Sequence, residues 1–167
     1  FYMLSEIVSK EVKVVLSGQG ADEGFAGYFW YSKINAERNT YLNFLKHYAD
    51  RSNEELSEFL NINFKSNYSA LMVKDKFNAI NSETLIGNVL NFDITTLVVD
   101  DPVKRVDNMT MAWGLEARVP FLDHKLIEKS IKIDPKIHLK RNGKNILKSI
   151  SESLLPEEVI TRKKGYF

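Results

Sequence analysis

The sequence predicts an α/β fold to which this chain contributes mostly helices and one or two strands. Val14–Leu16 is a short continuous apolar run, which is typical of a parallel strand buried on both faces. Most of the chain after it carries apolar residues at helical spacing. One strand cannot form a sheet, so we expect its partners to come from sequence upstream of this chain.

The helices follow from apolar spacing and from capping residues at their starts. Acidic residues in a first turn and a proline at a helix start strengthen individual predictions. We expect helices over Tyr2–Lys10, Thr40–Arg51, the NEELSEFL segment that begins after Ser52, a long helix from an N-cap at Ser82 through Leu97, Val103–Trp113 after Pro102, His124–Ile133 after Asp123, Asn145–Leu155 after Gly143, and a short turn opened by Pro156.

Composition limits the function classes. The chain has 167 residues, 44% of them hydrophobic, which is enough for one globular domain. Its net charge is +1, from 23 basic and 22 acidic residues, so we expect neither nucleic acid nor a membrane surface as a partner. No cysteine is present, which excludes disulfides, thiolate metal sites and a cysteine nucleophile within this chain and fits a cytoplasmic protein.

The first candidate site is the segment Ser17–Tyr28, which directly follows the predicted strand. Gly18 and Gly20 allow backbone N–H groups to approach a phosphate closely, and Asp22 could hold the magnesium ion that accompanies it. The alternative is an ordinary strand-to-helix turn, with glycines for steric reasons and Asp22 as a helix cap.

Two further clusters carry charges in unusual settings. Glu116 and Arg118 lie among apolar residues, which favours an internal ion-pair network with Asp123 over direct substrate contact. Lys144 opens a predicted helix, although the helix dipole prefers negative charge at that end. An anion bound at the same place would explain this lysine, and a solvated surface lysine is the alternative.

Four segments together resemble the synthetase domain of glutamine-dependent asparagine synthetases. The resemblance rests on order and spacing and covers most of the chain apart from about residues 31–97. The segments are SGQGADEGFAGY at Ser17–Tyr28, DNMTMAWGLEARVPFLDH at Asp107–His124, GKNILK at Gly143–Lys148, and RKKGYF at Arg162–Phe167.

The resemblance implies a PP-loop type fold, like that of the adenine nucleotide alpha hydrolases, and an ATP-dependent ligase. Such enzymes adenylate a small-molecule carboxylate, release pyrophosphate with Mg²⁺, and form an amide with ammonia from a glutaminase domain. By position, Ser17, Gly18 and Gly20 would contact the nucleotide. Lys144 would neutralise charge on the adenylate and pyrophosphate, and Asp22 would bind the metal.

Two departures from the family pattern affect the expected activity. The family's ATP-binding SGGxDS loop is missing here, so residues 1–167 look like the C-terminal portion of a synthetase domain, inactive in isolation. Gln19 stands where asparagine synthetases usually carry a catalytic glutamate, and an amide cannot accept a proton at neutral pH. The acceptor could therefore be another carboxylate, as in the subgroup that amidates N-acetylglutaminylglutamine. The alternative is a non-catalytic nucleotide-binding or interaction module that retains the fold.

Overall fold

The computed structural model describes residues 1–34, 41–80 and 82–162. Short helices dominate this part of the chain. In chain order the regular elements are α1 Tyr2–Ser9, β1 Val14–Leu16, α2 Ala21–Phe25, α3 Tyr41–Tyr48, α4 Asn53–Leu60, α5 Tyr68–Ala79, α6 Leu85–Phe92, α7 Lys104–Met111, β2 Glu116–Arg118, α8 His124–Ser130, α9 Pro135–Leu139, α10 Asn145–Ser151 and α11 Glu157–Thr161.

The two strands form a parallel pair in which Val14 lies opposite Glu116 and Leu16 opposite Arg118. A parallel strand at Val14–Leu16 is as predicted, but its partner β2 lies within this chain. The predicted burial on both faces is wrong, because 41% of Val14 and 75% of Leu16 are exposed. With only two described strands, β1 has a neighbour on one side alone, and one of its faces stays uncovered.

Most predicted helices are present with shifted ends. Ser52 begins α4 with a capping box, since its hydroxyl accepts from the Glu55 amide while the Glu55 carboxylate accepts from the Ser52 amide. The predicted cap at Ser82 is wrong, because the Thr84 hydroxyl accepts from the Gly87 amide and α6 begins one residue after Thr84. Two helices that the sequence analysis missed, α5 and α9, begin after caps at Asn67 and Asp134.

Pro102 does not open a helix as predicted. Instead α6 continues through two π-helical segments, Asp93–Leu97 and Val99–Val103, directly into α7. Pro102 lies inside the second segment and is buried. Proline lacks the amide that a regular helix needs, and a local π-helical turn accommodates the missing bond without ending the helix.

The main hydrophobic core lies between α3, α5 and α6 and the turn that follows α2. Aromatic side chains dominate it, and Phe44, Phe77 and Phe92 pack with ring centroids 5.1–5.8 Å apart. Tyr31, from the turn after α2, is 1% exposed within the same core. The core therefore anchors the turn that leads out of the first candidate site.

Candidate functional site

The end of β1 leads directly into the first predicted motif. The Ser17 amide donates to the Arg118 carbonyl at 2.8 Å, which extends the strand pairing by one bond. Gly20 has φ +90°, a left-handed conformation that favours glycine, and a Cβ there would overlap the Leu122 side chain. A Cβ at Gly18 would meet nothing within 4 Å, so the space beside Gly18 is open.

The structure brings Asp22 and Lys144 together. Lys144 Nζ lies 3.0 Å from Asp22 Oδ1, and both side chains are largely buried, at 30% and 18% exposed. The Lys144 amide also donates to the Phe25 carbonyl at 2.9 Å, so the main chain at the start of α10 is bonded to the end of α2. Two residues that the sequence analysis assigned to one anion site therefore share one location.

Two glycines make this close approach possible. A Cβ at Gly27 would overlap both the Asp22 carboxylate and the aliphatic part of Lys144. Gly143 has φ +89°, and a Cβ there would overlap the Ala26 carbonyl. A larger residue at Gly143 would push the start of α10 away from the main chain at Ala26, whereas one at Gly27 would displace the Asp22 and Lys144 side chains from each other.

Ser17 and Gln19 contact each other at the end of β1, where the Ser17 hydroxyl donates to the Gln19 side-chain carbonyl. Both side chains are half-buried. Gln19 thus uses its acceptor oxygen within the turn, and its side-chain amide group is the part available as a donor. The assignment of Ser17, Gly18 and Gly20 to the nucleotide, and of Gln19 and Lys144 to catalysis, stays a prediction.

The predicted internal network of Glu116, Arg118 and Asp123 is wrong, because Asp123 does not take part in it and the other two side chains are exposed. Arg118 Nε does contact Glu116 Oε1 at 2.8 Å, but the two side chains are 62% and 57% exposed. They lie on one face of β2, because residues two apart in a strand point the same way. Asp123 instead caps α8, accepting from the Lys125 and Leu126 amides at 3.0 and 3.2 Å.

A surface cleft of about 850 Å³ opens beside Lys144, between the turn after α2 and helices α10 and α11. Arg141 at its rim pairs with Glu152 at 2.6 Å, and Lys148 Nζ donates to the Arg141 carbonyl at 2.6 Å. Burial and the nearby charges of Arg141 and Lys144 lower the pKa of Lys148. Arg162 also lines the cleft, whereas the rest of the RKKGYF motif lies outside the described residues.

The sequence analysis missed a buried polar cluster beneath this site. Tyr28 donates to Glu23 at 2.7 Å, and Tyr31 donates to Asp93. Glu23 is 2% exposed and Asp93 is fully buried. No local pattern pointed to either bond, because Glu23 and Tyr28 are five residues apart across a turn and Asp93 is distant from Tyr31 in the sequence.

Comparison with known proteins identifies the family. The model of the asparagine synthase family matches residues 1–167. The chain belongs to the asparagine synthase family. It is 31% identical over 171 residues to a glutamine-hydrolysing asparagine synthetase of Bacillus subtilis, with 95% of this chain and 26% of that protein covered.

Other asparagine synthetases are similarly distant relatives. Asparagine synthetase B of Escherichia coli is 27% identical over 100% of this chain and 22% of its own length. The human asparagine synthetase is 26% identical over 99% of this chain and 22% of its own length. The chain thus spans roughly a quarter of these family members. The search of solved structures found no significant match.

In the part of the chain that the structure describes, no helix has the length and apolar content needed to cross a bilayer.

Proposed function

We propose that this chain is the C-terminal portion of a synthetase domain in an ATP-dependent amide-forming ligase. The carboxylate of a small molecule attacks the α-phosphorus of ATP and pyrophosphate leaves. Ammonia from a glutaminase domain then attacks the acyl carbon, which forms the amide and releases AMP. The observation that supports this proposal is the 3.0 Å contact between Asp22 and Lys144 beside the end of β1, in a chain of the asparagine synthase family.

Lys144 is suited to hold the charge that develops on the departing pyrophosphate. Stabilisation of such charge by groups already in place is the main contribution that a protein makes to adenylyl and phosphoryl transfer. The ion pair with Asp22 and the main-chain bond to Phe25 hold this lysine before a substrate binds. Its position needs no reorganisation at the moment of reaction.

Asp22 fits a magnesium ion only in company with phosphate. Among the described residues, no group of three His, Cys, Asp or Glu side chains lies close enough to hold a metal alone. Magnesium in nucleotide sites is usually held by one or two carboxylates together with phosphate oxygens and water. Asp22 would supply the carboxylate, and the bound ion would neutralise phosphate charge.

The nucleotide would lie beside the end of β1, near Ser17 and Gly18. The open space beside Gly18 supports this placement, because a ligand can approach the backbone there without displacing a side chain. Gly20 contributes by holding the turn in its left-handed conformation.

The test is ATP–pyrophosphate exchange by the full-length protein, with Mg²⁺ and a series of carboxylate acceptors. We expect exchange that depends on the acceptor, and a loss of roughly a hundredfold or more in Asp22→Asn and in Lys144→Ala. Lys129→Ala, which removes an exposed lysine on α8, is the matched control and should exchange at the wild-type rate. Wild-type exchange by either site variant would show that the site is wrongly assigned.

A non-catalytic nucleotide-binding or interaction module is the second candidate, and Gln19 is the residue that favours it. An amide at this position cannot take up a proton, and its oxygen already accepts from Ser17. This candidate predicts that ATP raises the melting temperature of a full-length protein that forms no amide. A gain of asparagine formation in Gln19→Glu would support the loss of an ancestral activity.

A further inference from the structure

Glu23 is buried on α2 next to Asp22. The Glu23 side chain is 2% exposed and accepts a hydrogen bond from the Tyr28 hydroxyl at 2.7 Å. Burial, followed by this bond to Glu23, raises the pKa of Tyr28 well above its usual range, so the hydroxyl stays a donor. Two neighbouring residues of α2 thus contact opposite sides, since Asp22 pairs with Lys144 and Glu23 accepts from Tyr28.

The bond between Glu23 and Tyr28 closes the turn on which the site depends. Ala26 has φ +53° and the Gly27 amide donates to the Asp22 carbonyl at 2.8 Å, so the chain reverses between α2 and Tyr28. Gly27 packs directly against the Asp22 carboxylate and the Lys144 side chain. A shift of this turn would therefore change the distance between those two charged groups.

The far side of Tyr28 is fixed as well. Its ring stacks on Trp30 with centroids 4.2 Å apart, and Tyr31 binds Asp93 in the core. The hydroxyl of Tyr28 is thereby presented to Glu23 from a rigid segment. Movement of Glu23 relative to this segment would have to break the hydrogen bond.

The burial of Glu23 and Asp93 is costly for a purely structural contact. Among the described residues, neither carboxylate has a lysine, arginine or histidine within ion-pair distance. Apolar side chains of similar shape would fill the same space at lower cost. A directional bond, unlike an apolar contact, holds the turn at one distance.

We propose that Glu23 and Tyr28 are positioning residues, whose partly buried hydrogen bond sets the Gly27 turn so that Asp22 and Lys144 meet at the distance that binds magnesium pyrophosphate. This inference rests on the proposed function. It adds that pyrophosphate affinity depends on a hydroxyl that need not touch the ligand.

The test is titration calorimetry of the full-length protein with magnesium pyrophosphate and, separately, with AMP. Tyr28→Phe removes only the hydroxyl, and we expect pyrophosphate affinity to fall about tenfold with AMP affinity unchanged. Glu23→Gln keeps a carbonyl acceptor for Tyr28 and should stay within about twofold of wild type. Tyr68→Phe, at an exposed tyrosine on α5, is the matched control and should change neither affinity.

The outcomes separate the two proposals. If Lys144→Ala loses pyrophosphate binding and Tyr28→Phe keeps it, the positioning role is refuted and the proposed function stands. If Lys144→Ala also keeps it, the proposed function itself fails. A Tyr28→Phe protein that does not fold, or that loses both affinities together, shows a structural role only and overturns the inference.

Discussion

Lys144 Nζ lies 3.0 Å from Asp22 Oδ1, so the start of α10 and the helix after β1 share one ion pair. Because both groups are less than one third exposed, we expect a coupling free energy of about 1 kcal/mol between them. The measurement is a double-mutant cycle of Asp22→Asn and Lys144→Met, from urea unfolding of the full-length protein. Additive effects of the two substitutions would contradict a formed pair in solution.

Gly143 should be the most sensitive glycine at the site. Gly143→Ala combines a left-handed backbone at φ +89° with an overlap against the Ala26 carbonyl, and we expect a loss of about 2–4 kcal/mol in unfolding free energy. Gly18→Ala is the matched control, since its Cβ meets nothing within 4 Å, and should cost less than about 1 kcal/mol. Equal losses in urea unfolding would contradict the close approach of α10 to α2.

The family resemblance predicted that Asp22 and Lys144 share one pyrophosphate site, but the sequence did not predict the ion pair between them. Glycines and an acidic pair after an apolar run indicate a turn at the end of β1, whereas a lysine at a helix start fits either a bound anion or a solvated surface lysine. That Asp22 and Lys144 meet depends on the space left by Gly27 and Gly143, and local patterns do not report distances between remote segments.

The wrong predictions also arose because local sequence patterns do not report tertiary contacts or burial. Glu116 and Arg118 lie among apolar neighbours in the chain, yet their shared face of β2 is exposed, because alternation in a strand sends neighbours to the opposite side. Proline is common at the first position of a helix, but Pro102 lies inside a longer helix, where a π-helical turn accommodates it. Asp93 carries no local signal, since its burial depends on Tyr31 from a distant turn.

Asp123 should act as a helix cap and not as part of a charge network. Asp123→Ala removes the acceptor for the Lys125 and Leu126 amides, and we expect a loss of about 1 kcal/mol in unfolding free energy. Glu116→Gln weakens an exposed pair and should cost less than about 0.5 kcal/mol. Thermal unfolding of both variants gives the comparison, and a larger loss in Glu116→Gln would support the buried network after all.

Asp93 should make the stability of the protein depend on pH between about pH 4 and pH 7. Burial raises its pKa to about 7; the Tyr31 hydrogen bond opposes this shift, and the nearby charge of Glu23 adds to it. The unfolded chain titrates this group near pH 4, so between about pH 4 and pH 7 the folded state binds the extra proton. Its stabilising contribution is complete below pH 4 and is lost as the pH rises through 7, with a slope of at most roughly 1.4 kcal/mol per pH unit. Urea unfolding of the wild-type protein and of Asp93→Asn at pH 5, 6, 7 and 8 measures this pH dependence. As the pH rises, the unfolding free energy of the wild type should fall relative to that of Asp93→Asn. If the unfolding free energies of the two proteins change in parallel with pH, Asp93 is not the titrating group.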